Sequence, residues 1–240
     1  MLDGLRKALG LGPHPAAVPP GVVTPAQLAH WAAARGWRYA AADGEGGYTL
    51  EGRLGEHAWQ LESGTPARDY MQGAELRLRA ELPIDPGASV MLMNRALKEE
   101  LEVRAYGAIT QDVQTTVTES LPQELRWLSI LEEVSVPHWP ASFRQAFAVL
   151  GSRARDARQC VHAAVVAQAM HEGQAAAPGQ VPLVLMLDEG GLRLRMQTLP
   201  GHLPDLEYAL ALFLMVAQVA MHHLPPPAPQ AAATAAPPPA

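Results

Sequence analysis

The sequence predicts an α+β fold: an antiparallel β-meander and hairpins, helices packed on one face, and a buried apolar C-terminal helix. Three observations predict it. Four stretches between residues 48 and 197 alternate apolar and polar side chains, the period of a half-buried strand. Most of the links between neighbouring strands are short turns rich in Gly, Asp and Glu, which favour antiparallel pairing. Tyr208 to Met221 is apolar except for Gln218, and at 1.5 Å per residue it spans about 21 Å, short of a hydrocarbon core of about 30 Å. Such a run reads as a buried helix.

Thr24 opens the first element. It stands at an N-cap, with Pro25 at the first helical position, Gln27 completing a capping box and Gly36 closing a helix over 24–35. Residues 37–42 form a strand, and Asp43 to Gly47 a turn. Tyr48, Leu50, Gly52 and Leu54 alternate with Thr49, Glu51 and Arg53. Trp59 and Leu61 alternate with Ala58, Gln60 and Glu62. Leu76, Leu78, Ala80 and Leu82 alternate with Glu75, Arg77, Arg79 and Glu81 in the cleanest strand pattern of the chain.

Ser89 to Met93 is a short apolar strand, and Asn94 caps a helix to about Ala105. Residues 112–118, rich in Thr and Val, read as extended. Pro122 starts a helix through Glu133 with Trp127, Leu128, Leu131 and Val134 on one side. Phe147 to Gly151 is a strand, and Ser152 caps a helix to about Glu172. Residues 181–187 are apolar on both faces, so this strand is central. Across the turn 188–191, Leu192, Leu194 and Met196 alternate with Arg193, Arg195 and Gln197. The last helix opens at Pro204 and Asp205. Its acidic start (Asp205, Glu207) and basic end (His222, His223) suit the helix dipole.

Composition bounds the organisation. Of 240 residues 48% are hydrophobic, but 42 are Ala, so the larger apolar side chains are fewer than that figure suggests. The divisions expected are a flexible segment 1–21, an α+β half over 22–134 containing the meander, a β-α-β-β-α half over 135–224, and a disordered Pro/Ala tail over 225–240. That tail carries no charge and cannot offset its ordering entropy. The pattern leaves open whether the halves share one sheet. Met1 to Leu9 has no apolar run and carries Asp3, Arg6 and Lys7, so no secretory signal is expected and the cytoplasm is the expected compartment.

Function is less legible. The net charge of −6 argues against nucleic acid as a partner, and one cysteine argues against a disulfide framework or Cys-rich metal site. Eight acidic and two basic residues fall between Glu99 and Glu133, read as two solvated helix faces, with a surface that meets a basic partner or repels nucleic acid as the alternative. Gly44-Glu45-Gly46-Gly47 lacks the spacing of a dinucleotide loop, and no P-loop or nucleophile elbow occurs. The histidines lack ligand spacing, so no metal and no cofactor is expected, and Cys160 reads as a small buried apolar residue. Asp188 and Glu189 sit at a hairpin tip read as exposed. Arg77 and Arg79 point outward, but Glu75 and Glu81 bracket them, so no basic patch is expected.

The loop Glu62 to Gly73 is long for an antiparallel connection and carries Arg68, Asp69 and Tyr70 together. Arg and Tyr are common anchors of binding sites, so these three are the binding-loop candidates. With 74–150 set aside, the order helix, three strands, helix, two strands, helix is similar to that of small acidic secretion chaperones. No motif accompanies the order, and no family is assigned. The expectation is a non-catalytic protein-binding or scaffold module, with a protein partner or a second copy of the chain and no transmembrane segment. The alternative is a small-ligand carrier, or an enzyme with a site built from dispersed residues.

Overall fold

A strand that is apolar on one face needs a shared core to cover that face, and the alternating segments satisfy one another in a single sheet. The computed structural model describes residues 20–42, 46–111, 122–171 and 179–227, and side chains are not described over 106–111. The expectations for 1–19, 112–118 and 228–240 lie outside the described residues. Among those described, the strands are β1 (Arg38–Ala41), β2 (Tyr48–Leu54), β3 (His57–Gly64), β4 (Ala74–Glu81), β5 (Val90–Asn94), β6 (Glu132–Glu133), β7 (Phe147–Gly151), β8 (Leu183–Asp188) and β9 (Gly191–Thr198). The helices are α1 (Pro25–Ala33), α2 (Arg95–Gln111), α3 (Gln123–Ile130), α4 (Ala141–Ala146), α5 (Ala154–Cys160), α6 (Ala163–Ala169) and α7 (Leu203–His223).

All nine strands pair antiparallel in the order β1-β2-β3-β4-β9-β8-β5-β7-β6. Strands early and late in the chain therefore interleave, and one sheet runs through both. The class is α+β, and α7 is buried as its composition predicts. With 21 residues, an 18-residue stretch of which has a mean hydropathy of 1.4, α7 also has the length and composition to cross a membrane. Eleven of those residues, Leu212 and Phe213 among them, are buried inside the protein.

The main core lies on the α7 side, where Leu50, Leu61, Leu76, Leu185 and Leu194 meet α1, α5, α6 and α7. A smaller layer adds to this on the other face. There Met91, Met93, Leu150 and Met186 pack against Leu97 and Leu101 of α2 and Trp127 of α3. This second layer is why β5, β7 and β8 are apolar on both faces.

Local chemistry explains the element ends. At α1 the Thr24 hydroxyl accepts from the Gln27 amide (3.3 Å), and the Thr24 amide donates to Gln27 Oε1 (2.8 Å). The helix expected over 122–133 stops at Ile130. Leu131 turns extended, and Glu132 and Glu133 pair with Gly151 and Leu150. An available sheet edge there outweighs helical periodicity. The helix expected over 152–172 is two short helices, with a break at Val161 and His162. The Trp139 indole donates to the Val161 carbonyl at the break (3.2 Å).

Gly52 is the close approach that the meander requires. A Cβ there would lie 2.3 Å from Trp59 Cζ2 and 2.8 Å from Trp37 Cδ1. The rings are pinned in an edge-to-face chain, Trp31 to Trp37 at 5.4 Å and Trp37 to Trp59 at 5.0 Å. Gly52→Ala is expected to cost about 2 kcal/mol through overpacking. Urea unfolding followed by tryptophan emission checks this, and an unchanged midpoint would show that the rings can yield.

Candidate functional site

The alternation that buries Leu76, Leu78, Leu192 and Leu194 turns Glu75, Arg77, Arg79, Arg193 and Arg195 onto the opposite face. The β4–β9 register sets Arg77 opposite Arg195 and Arg79 opposite Arg193. The β3–β4 register sets Glu62 opposite Arg77 and Gln60 opposite Arg79. Four guanidinium groups therefore share one patch, and the expectation of no basic patch is corrected. The bracketing glutamates lie along one strand, whereas the patch is made across two strands far apart in sequence.

The four charges are not equivalent. Arg77 pairs with Glu62 (2.5 Å) and with Glu75 (3.2 Å), and Arg195 pairs with the other oxygen of Glu75 (2.5 Å). Glu75, on the register of the wet face, is fully buried, capped by the Ala67 amide at 2.7 Å. Arg79 and Arg193 have no carboxylate within 4.0 Å among the described residues. Arg77 and Arg195 are thus ion-paired, whereas Arg79 and Arg193 make no direct ion pair and have Glu81 and Asp188 only at longer range.

Neutral amides hold those two heads. Arg79 donates from Nε (3.0 Å) and Nη2 (2.5 Å) to Gln60 Oε1. Arg193 donates from Nη1 to Gln123 Oε1 (3.3 Å), while Gln123 Nε2 donates to Asp188 (2.7 Å), which also accepts from the Ser89 hydroxyl (3.4 Å). Asp188 is thus half-buried and holds Gln123, rather than standing free at a hairpin tip. A concavity of about 310 Å³ is lined by Gln60, Glu62, Arg77, Arg79, Arg193 and Arg195. Gln60 and Arg79 also line a larger neighbouring one of about 770 Å³.

The loop between β3 and β4 forms a wall beside this floor. Arg68 and Tyr70 converge on Glu124 in the first turn of α3. Arg68 donates from Nε to Oε1 and from Nη2 to Oε2 (3.4 Å), and the Tyr70 hydroxyl donates to Oε1 (2.7 Å). Asp69 is not in that group; it pairs with Arg104 of α2 (3.0 Å). Glu124 was invisible as a site residue in sequence, where it is one of eight carboxylates in an acidic segment. Burial pushes its carboxyl up, but the Arg68 and Tyr70 hydrogen bonds and the Arg68 charge outweigh burial and hold it below the ordinary carboxylate value. Burial, reinforced by the Glu124 carboxylate, pushes the Tyr70 phenol well up, so it stays a donor.

Cys160 lies in the core on the α7 side, where burial pushes its thiol up to about 12. No family model and no curated protein matches this sequence. Among solved structures the chain is similar to the mycobacterial trehalose monomycolate transport factor A, TtfA. The two share 11% identity over 86% of this chain and 98% of that one, with a TM-score of 0.49.

Proposed function

We propose that this protein is a non-catalytic binding module that takes an anionic partner on the outer face of β3, β4 and β9. The observation that carries this reading is the cross-strand pair Arg79 and Arg193, which keeps its charge while its heads are oriented by amide oxygens. Like charges directly opposite in a ladder are unfavourable. An anion between them reverses the sign of that interaction and gains two charge-assisted forks. The state of the groups that could do chemistry supports a binding role. Glu75 and Glu124 are engaged by arginines, Tyr70 is held as a donor to Glu124, and the Cys160 thiol is buried in the core on the α7 side.

The double substitution Arg79→Gln, Arg193→Gln tests this. Both side chains are exposed, so the fold should hold, and relief of repulsion should leave stability unchanged or raise it by up to about 1 kcal/mol at low salt. Thermal shifts with pyrophosphate, citrate and polyglutamate are expected to appear for the wild type and vanish for the variant. A wild type that no anion stabilises, or a variant stabilised equally, would sink the proposal.

A further inference from the structure

We infer that the group this face is built to grip is a phosphomonoester, free or on a lipid headgroup; this rests on the binding face proposed above. Arg79, held toward β3 by Gln60, and Arg193, held toward α3 by Gln123, line one concavity, so a group seated in it meets both guanidinium groups. A carboxylate carries a single charge and balances only one of the two guanidinium groups. A phosphomonoester offers three terminal oxygens and about 1.5 to 2 negative charges near neutral pH, enough for a fork from each side.

The donors left over match as well. Arg193 uses Nη1 on Gln123, and its Nε and Nη2 have no hydrogen-bond partner among the described residues. Arg79 uses Nε and Nη2 on Gln60, and its Nη1 is likewise without one. Gln60 and Gln123 are positioning residues: they fix the guanidinium planes without cancelling charge, which a carboxylate in either place would do. The concavity is open to solvent and of a volume that suits a phosphate on a small substituent, so both a soluble phosphate and a headgroup can reach it.

Isothermal titration of the full chain with inorganic phosphate, against acetate at matched ionic strength, tests the chemistry. Phosphate should bind and acetate should not. Arg79→Lys and Arg193→Lys keep the charge but lose the fork, and each should weaken phosphate binding roughly tenfold, the worth of one charged hydrogen bond. Sedimentation with phosphatidylcholine vesicles, with and without phosphatidic acid, separates the sources. Capture only by phosphatidic acid supports a headgroup, and phosphate binding without capture supports a soluble ligand. Equal binding of acetate and phosphate, or lysine variants that bind as the wild type does, would overturn the inference. Polyglutamate binding that Arg79→Gln, Arg193→Gln abolishes, with no phosphate binding, would overturn it while leaving the binding face standing. No binding of any anion would remove both.

Discussion

Glu124→Ala is expected to destabilise the protein by about 3 kcal/mol, the usual cost of removing one partner of a buried ion pair. The side chain of Glu124 is 1% exposed and that of Arg68 21% exposed, so the guanidinium left behind is only partly able to reach water. The Tyr70 hydroxyl loses its acceptor at the same stroke. The effect also reaches the second core. Tyr70 and Met71 of the loop pack with Trp127, Leu97 and Leu101, so loosening the loop exposes that layer. Urea unfolding at neutral pH measures the loss. A cost below about 1 kcal/mol would show that Arg68 and Tyr70 turn to solvent without strain. Adding Arg68→Met to Glu124→Leu should cost less than the two single changes together, because both charges then leave the site.

The pH dependence follows from the same geometry. The folded Glu124 carboxyl titrates below its ordinary value, so its contribution is fully present above the unfolded pKa of about 4.3. It is lost as pH falls through the lower folded value. The stability gap between wild type and Glu124→Gln should therefore be flat from pH 7 to pH 5 and close below about pH 4. A gap that closed above pH 5 would contradict the ion pair.

Sequence patterns revealed the strands because each one's own alternation reports its own dry face. Leu76, Leu78 and Ala80 declare β4 whatever lies beside it. They do not declare the neighbour, and the site depends on the neighbour. Arg79 and Arg193 are 114 positions apart, and only the β4–β9 pairing joins them. Glu75 misleads for the same reason. Its position in the alternation is wet, yet the loop amide of Ala67 and the guanidinium groups of Arg77 and Arg195 close over it. The loop residues Arg68, Asp69 and Tyr70 were visible as a polar group in a long connection. Their partners Glu124 and Arg104 were not, since both reside on helices that the second layer folds over the sheet. Helix ends failed where tertiary pairing competes with local propensity, at Glu132 and Glu133 on the sheet edge and at Val161 beside Trp139.

Glu75→Gln should move stability and anion binding in opposite directions. The carboxylate is fully buried and is shared between Arg77 and Arg195. Gln keeps the volume and one acceptor oxygen, but presents an NH₂ group to a guanidinium, leaving donors facing donors. Breaking a buried pair of this kind costs about 3 kcal/mol, and the retained acceptor keeps the loss near or below that value. At the same time one negative charge disappears from beneath a face that carries four arginines. Arg77 and Arg195 line the same concavity as Arg79 and Arg193, so their released charge acts on the same ligand. Phosphate affinity at low salt should rise several-fold, and the gain should shrink as ionic strength screens it. Unfolding midpoints and titrations on one preparation measure both. A variant that is less stable and binds no better would place Glu75 in the fold alone. Improved binding at lower stability would show that the buried carboxylate sets how much positive charge the face offers, trading affinity for a sheet that holds four arginines side by side.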